Sequence, residues 1–335
     1  MAKKEHDLEP KTEFIAEFCQ NHNGDFEILK RMLEAALDAG ATYAKIQTIF
    51  ANDLSYRERF EKGKVDDDGN ILSICRPYIT EYERLKTLEM SYEEQSQFVS
   101  LCLNAGIKPL TTAFTVTSIP AIRECGFTSI KIASYDCAST PLLKSASSYF
   151  DEVIVSTGAT FLEEIEAAVE VLKYSEVNFS VLHCVTIYPT PLDRMNLLRM
   201  LKLKDYTPNM GLSSHPLNSV DGTKADMVAI YLGARIIERH FTILPESETR
   251  DGKVSLTDDQ LEELVNFSNL NKTDQYQIIQ DQVPEYDAIL GKEELSLSNE
   301  ELLNRDYYKG RFCNKVGDIQ VFNWDADPLI KSEGN

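Results

Sequence analysis

From residue 14 onward the chain alternates two kinds of segment: short apolar runs of strand length, and longer stretches whose apolar residues recur every three or four positions. Residues 14–19 (FIAEFC) predict a strand, and 25–39 an amphipathic helix closed by Gly40. Strand 44–47 is followed by an irregular excursion and a helix over 92–104, where Ser91 and Glu94 have capping-box spacing. The pattern then repeats as strand 108–112 and helix 118–124, strand 129–133 and helix 140–147, and strand 152–155 and helix 160–173. Thr160 and Glu163 again have capping-box spacing. Strand 180–183 precedes a helix near 192–203, strand 210–213 a helix over 220–232, and strand 235–238 a helix over 257–268.

No strand of this kind can bury its apolar face alone, and strands alternating with helices imply a parallel sheet. Eight such units in about 270 residues predict an α/β fold, a (β/α)8 TIM barrel. The rival, a doubly wound open sheet, normally opens on a glycine-rich dinucleotide turn, and the chain has none. Past Asn271 the alternation stops. The expected organisation is a barrel over 1–272 and a short C-terminal extension over 273–335, carrying the aromatic and basic run from Arg305 to Phe312.

Composition narrows the picture. A net charge of −20 argues against nucleic acid or an anionic membrane as partner. No stretch approaches the roughly 20 apolar residues of a membrane span. The polar N-terminus lacks the apolar centre of a secretory signal, so the expected location is the cytoplasm. Seven dispersed cysteines without CxxC spacing predict reduced thiols and no zinc-finger framework.

In a barrel of this kind, chemistry collects at the C-terminal ends of the strands. Glu17, Lys45, Gln47, Thr112, Lys131, Ser134, Ser156, Thr157, His183, Tyr188, Ser213, Ser214, His215, Glu238, Arg239 and His240 all fall at or just beyond such ends. Histidines on adjacent strands, His215 and His240, could share a metal such as Mn²⁺, Fe²⁺, Ni²⁺ or Zn²⁺, leaving positions for water and substrate. The plain alternative is that each is a satisfied polar residue at the rim. A lysine inside an apolar strand is costly unless its charge is used. Lys45 and Lys131 therefore point to a buried anion such as phosphate or carboxylate, with a Schiff base as the sharper alternative. Ser156-Thr157-Gly158 leads into a helix start, where free amides accept phosphate. Glu17 reads as an acid–base group or a partner for a lysine. Asp136 and Asp251 are weaker acidic candidates, and His22 sits in a turn where substrate contact is the minority reading. The run Asp66-Asp67-Asp68-Gly69-Asn70 resembles the start of a calcium loop, but Pro77 stands where the closing glutamate is needed.

Taken in order, IAEFCQNHNGD, AKIQT, KIASYD, STGAT, LHCVTIYPTP, GLSSH and IERHF make the chain, from about Phe14 to Leu264, resemble the N-acetylneuraminate (sialic acid) synthase family. The resemblance implies a barrel enzyme, a transferase, that condenses phosphoenolpyruvate with the open-chain aldehyde of an N-acetylated amino sugar and releases phosphate. It implies a divalent metal, Mn²⁺ first with Mg²⁺ or Co²⁺ as alternatives, and a homo-oligomer, a dimer. By this likeness His215 and His240 match the metal ligands. Lys45, Thr112, Lys131, Ser134, Ser156, Thr186 and Ser213 match the phosphoenolpyruvate cradle. Gln47, Tyr188 and Asp251 match positions facing the sugar, and Glu17 and Asp136 the two acidic residues near the reacting carbons.

The chain departs from the family in three places. Ser214 stands where an aspartate often precedes the metal histidine, and Thr186 where asparagine or serine is common. The C-terminal extension is too short for the family's antifreeze-like domain, which lends an arginine to the sugar; Arg305 and Arg311 are the candidates to replace it. Two rivals remain at the level of sequence. One is a Kdo- or DAHP-type condensation with a phosphorylated aldose, disfavoured because no extra basic cluster stands out. The other is a non-catalytic sugar-binding barrel, disfavoured because the histidines and strand lysines are all present.

Overall fold

The computed structural model describes residues 11–294 and 296–324; the ends of the two expected domains, 1–10 and 325–335, lie outside them. Eight parallel strands close on themselves: β1 (Glu13–Cys19), β2 (Tyr43–Gln47), β3 (Lys108–Ala113), β4 (Ser129–Ile132), β5 (Glu152–Ser156), β6 (Asn178–Cys184), β7 (Met210–Ser213) and β8 (Ile236–His240). Each pairs with its sequence neighbours, and β1 also pairs with β8, so no edge is left open. The (β/α)8 barrel expected from the alternation is the fold.

Side-chain alternation gives the barrel two unlike sides. One set of residues, including Phe14, Ala16, Phe18, Ile130, Ile132, Val153 and Val155, faces outward and packs with the helices in one large apolar cluster. The other set fills the interior, where Ile15, Tyr43, Leu110, Ile154, Leu182 and Ile236 form a separate apolar floor. Two residues beyond the floor residue, the inward position turns polar on β1, β2, β3, β5 and β8, and this step builds the site. Gly211 is needed in the floor layer, because a Cβ there would collide with the carbonyl oxygen of Ile236 on β8.

Several boundaries differ from the pattern reading. The helix expected from Thr160 runs over Leu162–Tyr174, and its capping carboxylate is Glu164, which accepts from the Phe161 amide at 3.0 Å. Thr160 instead donates to the carbonyls of Ser134 and Gly158. The helix expected near 192–203 is a 3-10 turn, Leu192–Arg194, and a short helix, Leu197–Lys202, separated at Asn196, whose backbone is left-handed. The one expected over 220–232 is interrupted at Gly222 (φ 53°), leaving the helix Lys224–Tyr231. By contrast, the capping box at Ser91 is present, with Glu94 accepting from the Ser91 amide at 2.8 Å. The excursion after β2 holds the hairpin Lys64–Val65/Ile71–Ser73 and the helix Tyr78–Lys86; the acidic run forms the hairpin tip, where Asp66 accepts from the amides of Asp68 and Asn70.

After the last barrel helix, Asp258–Ser268, the chain adds the helices Lys272–Gln282, Tyr286–Leu290 and Asn299–Tyr308 and a hairpin, Asn314–Val316/Ile319–Val321. The final helix and the hairpin fold back over the mouth of the barrel. Asn304 donates to the Thr186 carbonyl at 2.8 Å, Tyr308 stacks on Tyr135, and Asn323 donates to the Phe114 carbonyl at 2.7 Å. Among the described residues no helix is long and apolar enough to cross a membrane, and all seven cysteines are free thiols.

Candidate active site

A cavity of about 470 Å³ opens at the C-terminal mouth of the barrel. Its deepest polar layer follows from the period of two. Glu17 lies two residues beyond Ile15, Lys45 beyond Tyr43, Thr112 beyond Leu110, Ser156 beyond Ile154 and Glu238 beyond Ile236, with Lys131 and Ser213 completing the ring. Within that ring the charges are matched. Lys45 contacts Glu17 and lies 3.6 Å from Glu238, while Lys131 lies 3.7 Å from Glu238 and donates to Ser156 Oγ at 2.6 Å. Ser213 donates to Glu238 at 2.9 Å, and Gln47 to Glu17 at 3.0 Å. Burial alone would raise the Glu238 carboxyl, but Lys131 and Lys45 bring it down to about 2. Burial pushes the Lys45 ammonium well below the ordinary lysine value, and Lys131 adds to that, while Glu238 opposes it.

Above this layer His215, just past β7, and His240, at the end of β8, meet with ring centres 5.2 Å apart. Both are buried. Burial, then the neighbouring His240, holds His215 well below the ordinary imidazole value; burial also lowers His240, against the pull of Asp251. Each leaves its Nδ1 buried without a hydrogen-bond partner. Two uncharged imidazoles with unused ring nitrogens facing one cavity are the donor set a divalent metal requires, so the residues fit the metal implied by the family resemblance. Tyr188 stands against them, its ring 4.1 Å from that of His215. Behind β7 and β8, Ser214 bonds Asp226, which pairs with the fully buried Arg239.

The structure thus gathers Glu17, Lys45, Gln47, Thr112, Lys131, Ser134, Ser156, Tyr188, Ser213, His215, His240 and Asp251 around one cavity. It does not bring in Asp136 or Thr186. Asp136 lies past the end of β4, buried under the C-terminal hairpin, where Asn323 donates to it at 3.0 Å. Thr186 is wholly buried and packs beside Gly158. His22 turns back to accept from the Gly24 amide at 3.1 Å. His183 points outward, one residue out of phase with the floor residue Leu182, and contacts the Met195 carbonyl at 2.7 Å. Asp251 holds its carboxylate 3.7 Å from His240. Of the two tail arginines, Arg311 reaches the cavity and pairs with Glu81, whereas Arg305 is held outside it by Glu164 and the Ala159 carbonyl.

Some cavity residues escaped the pattern reading. Cys19 lies at the end of β1, just past the slip in its pairing with β2, and the pattern reading passed over it. Arg76, Arg84 and Arg250 come from separate segments, and no linear basic cluster announces them; Arg311, which the sequence did offer, joins them at the cavity.

A barrel with lysines and carboxylates in the polar layer above its apolar floor, and two ligand-ready imidazoles above them, defines an enzyme site. Over residues 32–276 the sequence matches the model of the NeuB family, and the chain belongs to that family. It is 32% identical to the N,N'-diacetyllegionaminic acid synthase of Campylobacter jejuni, over 76% of this chain and 74% of that one. The pseudaminic acid synthase of the same organism is 28% identical, over 96% of this chain and 87% of its own length. Among solved structures, the N-acetylneuraminic acid synthetase of Leptospira borgpetersenii, crystallised with citrate, superposes with a TM-score of 0.64 at 28% identity, covering 89% of this chain and 91% of that one.

Proposed function

We propose that the chain is a nonulosonic acid synthase that condenses phosphoenolpyruvate with the aldehyde of an N-acetylated amino sugar and releases phosphate. The observation that carries this reading is the pair Lys45 and Lys131 in the polar layer above the apolar floor, beneath His215 and His240 in one cavity. The relatives named as legionaminic and pseudaminic acid synthases support it.

In this scheme Lys45 and Lys131 hold the phosphate and carboxylate of phosphoenolpyruvate, with hydroxyls of Thr112, Ser134, Ser156 and Ser213 around them. Fixing both ends of a small anion supplies positioning, which can account for several kcal/mol of the barrier. Gln47 and Tyr188 face the sugar. His215 and His240 would hold a divalent metal, Mn²⁺ by family likeness, which would supply Lewis acidity toward the aldehyde. The π electrons of phosphoenolpyruvate form the new bond from its carbon three to the aldehyde carbon, whose oxygen takes up a proton. Water adds at carbon two and gives up a proton. Breakage of the bond from carbon two to the bridging oxygen then expels phosphate, which takes the remaining hydroxyl proton, and leaves a ketone. Glu17, held by Gln47 and Lys45, is the group placed to take the water's proton, a role worth roughly 10²–10⁴-fold in rate. Asp136 has no part in this scheme.

A second reading, a phosphorylated acceptor, is favoured by the arginines at the rim. Arg84 and Arg311 share Glu81, but among the described residues no carboxylate pairs with Arg76 or Arg250. The test is phosphate release from phosphoenolpyruvate, with Mn²⁺ or EDTA, across N-acetylated hexosamines, their phosphates and plain aldoses. Metal-dependent release with an unphosphorylated amino sugar, lost in His215→Ala, is the expected result. Release only with amino sugar phosphates selects the second reading. Release only with plain or phosphorylated aldoses, or none at all from folded, metal-loaded protein, overturns both.

A further inference from the structure

At the end of β1 the pairing with β2 slips between Glu17 and Cys19, and Cys19 takes a left-handed backbone (φ 46°). Bulges of this kind re-aim a side chain at a strand end. Here the slip accompanies a thiol that lines the cavity on the same side as His240 and Asp251. One ligand atom from each of Cys19, His240 and Asp251 lies within 4.8 Å of the other two. That spacing fits donors converging on one ion. His240 is 8% exposed and keeps its Nδ1 without a hydrogen-bond partner, and His215 faces it from β7 in the same condition. The Asp251 loop is itself fixed, since the Asp251 amide donates to Asn21 and its carbonyl accepts from Ser255 at 2.7 Å.

We propose that the Cys19 thiolate and the Asp251 carboxylate join His240 and His215 as metal ligands, making this a mixed nitrogen, oxygen and sulfur site. The proposal rests on the metal site described under the function and deepens it by naming the metal class. A thiolate ligand favours borderline and soft ions, so the site selects Zn²⁺, Co²⁺ or Fe²⁺ over Mn²⁺ and Mg²⁺. It also reassigns Asp251 from the sugar to the metal, leaving Gln47 and Tyr188 to face the acceptor.

The test loads the metal-free full-length protein with Co²⁺ and records its absorption spectrum without substrate. A near-ultraviolet sulfur-to-cobalt charge-transfer band is expected in wild type and in Cys184→Ser, and its loss in Cys19→Ser with the visible d–d bands retained. Chelator competition should show Cys19→Ser binding Co²⁺ and Zn²⁺ at least about tenfold more weakly, the scale seen even for residues that only support a ligand, with Mn²⁺ binding nearly unchanged. Bound cobalt without the band, or a band that survives in Cys19→Ser, overturns the thiolate and leaves the histidine site standing. Failure to take up cobalt overturns both. X-ray absorption on the Zn²⁺-loaded wild type needs no variant to fold: a sulfur neighbour at about 2.3 Å is expected, and a shell of nitrogen and oxygen alone refutes the proposal.

Discussion

Replacing Glu238 by glutamine isolates the charge matching in the barrel floor, because the change keeps shape and removes only the negative charge. In the wild type one carboxylate lies 3.6 Å from Lys45 and 3.7 Å from Lys131, with a hydrogen bond from Ser213. At an effective dielectric of about 20, each of these ion contacts corresponds to roughly 4–5 kcal/mol of gross Coulomb attraction. Much of that is offset by the cost of desolvating the carboxylate, which the variant no longer bears. Breaking a buried ion pair by removing one partner typically costs about 3–5 kcal/mol net. With unfolding entropies near 2.1 cal/mol/K per residue, a chain of this length loses about 4–7 °C in Tm. Differential scanning calorimetry near neutral pH measures the loss. Inorganic phosphate supplies the second arm, since an anion at about 100 times its Kd contributes about 2.7 kcal/mol. With Glu238 neutral the lysines lack that partner, so phosphate should raise the Tm of Glu238→Gln more than that of the wild type. A variant within about 1 °C of wild type, about 1 kcal/mol or less on this scale, would refute the reasoning, as would equal phosphate effects on the two proteins.

Three other perturbations test neighbouring features. In Gly158→Ala the new Cβ would lie 2.6 Å from Thr186 Cγ2 and 2.9 Å from Ser134 Oγ, so Ser134 is displaced; steady-state kinetics should show KM for phosphoenolpyruvate rising about tenfold, equivalent to about 1.4 kcal/mol, with little change in far-UV circular dichroism. Burial raises Asp136 to about 7, opposed by Asn323 and Lys309. Its contribution to folding is therefore present below about pH 4 and lost as pH rises through about 7. Asp136→Asn should match wild type at pH about 4 and exceed it by up to about 4 kcal/mol at pH about 8 in urea denaturation; equal stability profiles at both pH values would show that Asp136 titrates normally. Arg311→Met removes a buried partner of Glu81, which keeps Arg84, so stability should fall by about 1–3 kcal/mol in urea denaturation, with KM for the acceptor rising more than KM for phosphoenolpyruvate.

The parts of this site legible in the sequence are those governed by a fixed period. Strand alternation puts Lys45 two residues above Tyr43 and Glu238 two above Ile236, so once a strand is recognised its inward polar residues follow. The same rule explains an overreach: His183 looked like a site residue by position, yet it lies one residue out of phase with Leu182 and faces the helices. Asp136 and Thr186 sit beyond the strands, where no period applies and the loop path decides; the tail hairpin covers the first and the turn at Gly158 buries the second. Cys19 was hidden by the slip at the end of β1, which breaks the regular register.

Apart from Arg311, the arginine rim was illegible for a different reason, and it answers a question the composition raises. A chain with a net charge of −20 should repel a multiply charged anion, and the lysines of the floor do not solve this, since Glu17 and Glu238 already balance them. The local excess comes from Arg76, Arg84, Arg250 and Arg311, set against Glu81, Glu300 and Asp251 in the upper cavity. Screening fades exposed charges beyond about 8–10 Å, so an incoming anion near the mouth responds to this ring more than to the acidic surface far away. Arg311 belongs to the tail that follows the final helix over the mouth, whereas the other three belong to barrel loops. The positive entrance is therefore complete only when the C-terminal segment is docked, which makes that segment part of the site's electrostatics as well as its cover.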